Sequence, residues 1–106
     1  YKINSLSHIT GGGLTENLPR SIPDNLCVEI DTDSWEMPNI FKWLKENGNI
    51  SDDDMYRIFN CGIGMVLFVD EDEELNISSR IKELKMNSFV IGKVKNKKEE
   101  SSVIFV

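Results

Sequence analysis

Three consecutive glycines, Gly11, Gly12 and Gly13, are the residues of this sequence best suited to hold a ligand. Without a Cβ, a glycine lets its backbone amide approach a bound group with no side chain in the way. The run falls where a strand is expected to turn into a helix, and a helix start adds unpaired N–H groups and a positive dipole end, which suits a phosphate. Thr10 stands directly before the run and can add a hydroxyl donor. The same residues also fit a plain flexible turn. No Gly-Lys-Ser/Thr follows, so this is not a P-loop, and the spacing is not Gly-x-Gly-x-x-Gly.

Other residues invite a chemical role less strongly. His8, the one histidine, could move protons. It has no second histidine or close cysteine pair with which to hold a metal, and a structural place beside a strand explains it equally. Asn60 precedes an apolar run at the kind of sheet end where ligands bind. Cys61 has no basic neighbour to depress its pKa and reads as a small buried residue. The acidic runs at 52–54 and 70–74 fit helix starts without any metal. Trp35, Phe41 and Trp43 read as core.

The elements that must position these residues follow from periodicity. Residues 5–10 form a short strand, and Leu14 and Leu18 lie one helical turn apart before Pro19 limits the helix. Leu26, Val28 and Ile30 alternate as a strand. A helix is expected over 38–47, with Pro38 first and Gly48 in the left-handed cap. Another starts at Ser51, whose hydroxyl faces Asp54 as in a capping box. Residues 63–69 are almost continuously apolar, as in a strand covered on both faces. Asp70 and Glu73 open a long helix with Ile77, Ile81 and Leu84 on one face. Residues 89–95 and 102–106 are expected to pair as a terminal hairpin. The sum is an α/β (α+β) layered sandwich with a mixed sheet of four to five strands.

Bulk properties narrow the function classes. A chain of 106 residues is one domain at most. Its net charge of −6 lacks the basic face that nucleic-acid binding requires. Lys93, Lys95, Lys97 and Lys98 are followed at once by Glu99 and Glu100 and read as a solvated strand edge. No apolar run is long enough to span a bilayer, no signal peptide is expected at Tyr1, and Cys27 and Cys61 read as reduced in the cytoplasm.

Taken together, the segments resemble one family. His8-Ile9-Thr10-Gly11-Gly12-Gly13-Leu14-x-Glu16-Asn17-Leu18-Pro19-Arg20 looks like the glycine-rich signature of aminoimidazole ribonucleotide synthetase, the phosphoribosylformylglycinamidine cyclo-ligase. Ser34-Trp35-Glu36-x-Pro38, Gly48-Asn49-Ile50 and Met55-Tyr56-Arg57-x-Phe59-Asn60-Cys61-Gly62 continue it in the family's order. The resemblance implies that residues 1–106 are part of a C-terminal domain, truncated on its N-terminal side and separated from an N-terminal ATP-binding domain. It implies ATP and magnesium, held mainly by that other domain, formylglycinamidine ribonucleotide as substrate, and a homodimer, with no nucleic acid or membrane partner. On this reading Thr10, Gly11, Gly12 and Gly13 contact phosphate or substrate, while His8, Asn17 and Arg20 line or brace the loop. Asn60 is a further candidate. No catalytic residue or metal ligand is expected here, and the chain alone is expected to be inactive. The alternative is a non-catalytic α/β module that binds a small ligand or a partner protein.

Overall fold

The computed structural model describes residues 1–106. Five strands and four α-helices make up the chain. In order they are β1 (Ser5–His8), α1 (Gly13–Asn17), β2 (Leu26–Ile30), α2 (Asn39–Gly48), α3 (Asp52–Ile58), β3 (Met65–Phe68), α4 (Glu74–Glu83), β4 (Gly92–Asn96) and β5 (Val103–Phe105). Single 3-10 turns over Leu18–Ser21 and Glu71–Glu73 follow α1 and precede α4. The class is the α+β one that the periodicity implies, but the strands divide between two sheets.

The larger sheet has the order β4-β2-β5. β2 pairs antiparallel with β4, Ile30 opposite Gly92, and parallel with β5, Ile30 opposite Phe105. The expected hairpin of the last two strands therefore does not form. β2 is the most buried of the three, and the central place satisfies both its edges, whereas a β4–β5 hairpin would leave one of them open. Residues 97–102 carry the chain across the end of β2, held by Lys97 N–H to Asn25 O (2.9 Å) and Val28 N–H to Ser102 O (2.8 Å).

The smaller sheet is β1 against β3, antiparallel, with Ser5 opposite Phe68 and His8 opposite Met65. The apolar run at 63–69 predicts a strand covered on both faces, and the structure corrects this. Val66 is buried at 8% exposure while its neighbour Met65 is 53% exposed. One face of the pair packs on the core; the other presents Leu6 and Met65 to solvent.

The core lies between the two sheets and the helices α1 and α3. Leu14, Leu18, Ile30, Met55 and Cys61 are fully enclosed. Tyr56 of α3 stacks on Phe105 of β5 at 4.6 Å between ring centroids, and Trp35 meets the edge of Tyr56 at 6.3 Å. The Trp35 indole N–H donates to Cys61 O at 3.0 Å, so its polar end is satisfied where it is buried. Trp43 departs from the expectation: it lies on the outer face of α2 beside Ile40, both exposed.

Helix ends follow the sequence in part. Ser51 caps α3 by accepting from Asp54 N–H at 3.2 Å. In α2, Pro38 is the N-cap residue, and the left-handed cap falls on Asn49 (φ 50°), one residue after Gly48. Asp70 makes no capping bond. Its carboxylate instead accepts from the Asn4 side chain at 2.9 Å and pairs with Lys2 at 3.7 Å.

Candidate glycine-loop site

The loop over residues 9–13 joins the end of β1 to the start of α1. Ile9 N–H donates to Gly64 O at 2.9 Å, which ties the loop's entry to the residue before β3. Gly13 N–H donates to Thr10 O at 3.0 Å and closes the turn. Gly12 and Gly13 take φ values of 100° and 60°, the left-handed region that side chains disfavour. A Cβ on Gly13 would stand 2.1 Å from Tyr56 O and 2.5 Å from Phe59 O, so the loop needs a glycine there to pass the last turn of α3. Thr15 adds a hydroxyl bond to the same Tyr56 carbonyl at 3.2 Å. Gly11 is different: a Cβ there would meet nothing within 4 Å.

The three glycines therefore serve two ends. Gly12 and Gly13 satisfy the turn, and Gly11 faces open space. The amides of Thr10, Gly11 and Gly12 have no acceptor within the chain, which leaves consecutive N–H groups free for an external anion. The helix dipole adds little, because α1 has only five residues.

Asn17 is buried, and its side chain closes the loop from within. Its amide nitrogen donates to Gly13 O at 2.8 Å and to Thr10 O and Gly11 O at 3.3 Å. Its oxygen accepts from the Thr10 hydroxyl at 3.3 Å. The hydroxyl proton that the sequence offered to a ligand is thus engaged with Asn17, and Thr10 keeps its lone pairs and its amide. His8 ends β1 on the outer face, exposed and opposite Met65. Asn60 follows Phe59, whose carbonyl touches Gly13, so its segment borders the loop. Its side-chain oxygen accepts from Gly62 N–H at 2.8 Å and shapes the turn into β3.

Arg20 is not brought to the loop. The 3-10 turn after α1 runs back along β1, and Ser21 is tied to the start of that strand by hydroxyl bonds with Leu6 O (2.9 Å) and from Ser5 to Ser21 O (2.8 Å). Its backbone lies beside Leu6, about 13 Å along the strand from Thr10 at ~3.3 Å per residue. The guanidinium is exposed and makes no ion pair. A residue that sequence reasoning passed over stands closer. The Glu16 side chain lies over Gly12, with its carboxylate 2.4 Å from where a Cβ would be. The signal was present in the i, i+4 spacing of Gly12 and Glu16, which puts both on one face of the first turn. The negative charge of Glu16 borders the Gly12 side of the loop.

Cys61 is structural. Burial, reinforced by the charge of Asp52, pushes its thiol up to about 11, and its S–H points to Met55 O at 3.4 Å. Two open hollows lie away from the loop. One, of about 360 Å³, is lined by Asp33, Asp52, Asp53 and Tyr56; the other, of about 480 Å³, is bordered by Met37, Lys42 and Lys45. No set of His, Cys, Asp or Glu side chains converges in a way that could hold a metal ion.

The family comparison settles the lineage. Residues 1–105 match the model of the AIR synthase related protein, C-terminal domain. The chain belongs to this family. Among its curated relatives, the phosphoribosylformylglycinamidine cyclo-ligase of Citrifermentans bemidjiense is 48% identical over 94 residues, 89% of this chain and 27% of the relative. That of Pseudothermotoga lettingae is 50% identical over 93 residues, covering 88% and 28%. That of Methylobacillus flagellatus is 54% identical over 72 residues, covering 68% and 21%. The chain thus spans about a quarter of the length of the relatives it matches. No helix is long and apolar enough to cross a membrane.

Proposed function

We propose that the protein containing this chain is an ATP-dependent cyclo-ligase of purine biosynthesis. It converts formylglycinamidine ribonucleotide to aminoimidazole ribonucleotide, ADP and phosphate. ATP supplies activation of the formyl oxygen, and the amidine nitrogen then closes the imidazole ring. The observation that carries this reading is the near-half identity, over about nine-tenths of the chain, to relatives that bear the cyclo-ligase name.

Within that reaction the chain forms one wall of the active site. The free amides of Gly11 and Gly12, beside Thr10, receive a phosphate of one substrate, the ribose phosphate or a phosphate of ATP. His8 and Asn60 border that wall, and Ser21, next to Arg20, ties the far end of β1. The side chains present here do not fit magnesium, since no carboxylates converge on a common point. On the same reading the ion and most of the nucleotide are assigned to the rest of the protein, as is the homodimer contact, and the compartment to the cytoplasm.

The test is a synthesis assay with formylglycinamidine ribonucleotide and ATP. The whole protein should release ADP and phosphate in step with aminoimidazole ribonucleotide, and the isolated 106-residue chain should show no turnover. Turnover by the isolated chain, or none by the whole protein, sinks the reading.

A further inference from the structure

The Asn17 side chain does more than fill the loop. It draws the carbonyls of Thr10, Gly11 and Gly13 to one side, at 3.3, 3.3 and 2.8 Å. Every peptide bond in the chain is trans. In a trans peptide the N–H of the next residue points opposite to the carbonyl. Holding Thr10 O and Gly11 O toward Asn17 therefore turns the N–H groups of Gly11 and Gly12 the other way, and these amides have no acceptor within the chain. Asn17 is 5% exposed, and its oxygen is fixed in turn by the Thr10 hydroxyl, so the amide group cannot flip without losing its bonds. Gly11, the loop position that would accommodate a Cβ, lies on the open side.

We infer that Asn17 is a positioning residue that aims the Gly11 and Gly12 amides at a phosphate group, an assignment that rests on the phosphate-binding reading of the loop. Asn17 touches no ligand itself. Its side chain carries two N–H donors for three carbonyls and an acceptor for one hydroxyl, a set that only a side-chain amide supplies. Asp in its place keeps the shape and loses the donors. Preorganised donors bind an anion without reorganising at the moment of binding, so the loss falls on affinity for the phosphate-bearing substrate.

The experiment compares Gly11→Val, Asn17→Ala and Asn17→Asp in the whole protein, with KM for formylglycinamidine ribonucleotide, KM for ATP, kcat and melting temperature as readouts. Gly11→Val puts a side chain into the approach path. All three variants should raise KM for the same one of the two substrates by about tenfold or more, with a much smaller change in kcat, as the loss of aimed donors to a charged group implies. If Gly11→Val leaves both KM values unchanged, the phosphate-loop reading itself falls. If Gly11→Val raises one KM and the Asn17 variants do not, or lower only the amount of folded enzyme, the loop reading stands and the role of Asn17 is refuted. Should the Asn17 variants fail to fold, NMR of the unmodified protein decides. The Gly11 and Gly12 amide signals should shift, and their hydrogen exchange slow, on titration with inorganic phosphate and with the substrate. No response at either amide overturns the inference.

Discussion

Gly11 and Gly13 differ in what a methyl group would meet, and that difference separates the ligand from the turn. Alanine at Gly13 meets Tyr56 O at 2.1 Å and must hold a φ of 60°. Such a change should destabilise by more than about 2 kcal/mol, read from denaturant unfolding, since left-handed strain and overpacking add. Alanine at Gly11 meets open space and should stay within about 0.5 kcal/mol of the unmodified chain. Equal losses at the two positions would show that the loop packs differently. Cys61 gives a second residue-scale test. Its thiol is raised from an ordinary 9.0 to about 11, first by burial and then by Asp52. A group whose pKa is raised on folding contributes stability below its unfolded pKa and loses it as pH rises through the folded one. Stability should therefore decline between about pH 9 and pH 11, and alkylation by iodoacetamide at pH 8 should require unfolding. Rapid labelling of Cys61 in the native chain contradicts the burial. Glu29 acts at the opposite end of the pH scale. Its hydrogen bond to Lys95 at 2.7 Å, helped by Lys93, lowers its carboxyl pKa, so that its contribution is present at neutral pH and fades only in acid.

At the scale of elements, the sequence was most legible where local chemistry decides. Ser51 caps α3 because its hydroxyl reaches Asp54 N–H. Ser51→Ala should cost about 1 kcal/mol, measurable as a lowered denaturant midpoint, and Ser51→Asp should restore most of it. An unchanged midpoint would show that α3 is held by Met55 and Tyr56 in the core alone. β2 and the glycine turn were equally readable, one from alternation and the other from residues that tolerate positive φ. What local pattern could not supply was partnership. An apolar run such as 63–69 states that a strand has something to bury, not which faces a neighbour covers, and at the start of β3 Val66 found cover while Met65 did not. The last two strands looked like a hairpin by separation alone, yet each gains more by pairing with β2, whose two free edges no short-range signal describes. Asp70 had the spacing of a cap, but a long-range bond from Asn4 and a pairing with Lys2 won. The site shows the same division: the motif marked the glycines and Asn17, and the i, i+4 spacing pointed to Glu16, while the particular bonds of Asn17 and the distance of Arg20 appear only once the chain folds back along β1.

Over the whole molecule, a thin core stands against a broad apolar surface. Only 16 of 106 residues are buried. Eight of the fourteen exposed large apolar side chains fall in three places: Leu6 with Met65 on the outer face of the small sheet, Ile40 with Trp43 on α2, and Leu84, Met86, Phe89 and Val90 along the segment after α4. Isolated apolar residues on a surface need no explanation, but contiguous patches mark contacts with other protein surface. The small sheet adds open strand edges, which invite pairing with another chain. The relatives are roughly four times as long as the matched region, which leaves ample protein to cover these faces in the complete molecule. Produced alone, the chain should self-associate. Sedimentation velocity should give a weight-average coefficient that rises with concentration. The net charge of −6 opposes close approach, so added salt should strengthen the association by screening it. Charged substitutions at Met65 and Phe89 test the faces separately, and each should lower the association without lowering the melting temperature, since neither side chain belongs to the core. The complete protein should not respond to Met65→Lys by becoming more monomeric; it should lose stability instead, because there the same face is expected to be covered. A chain that stays strictly monomeric at every concentration and melts above about 65 °C would show that these patches are ordinary surface and that the domain is complete in itself.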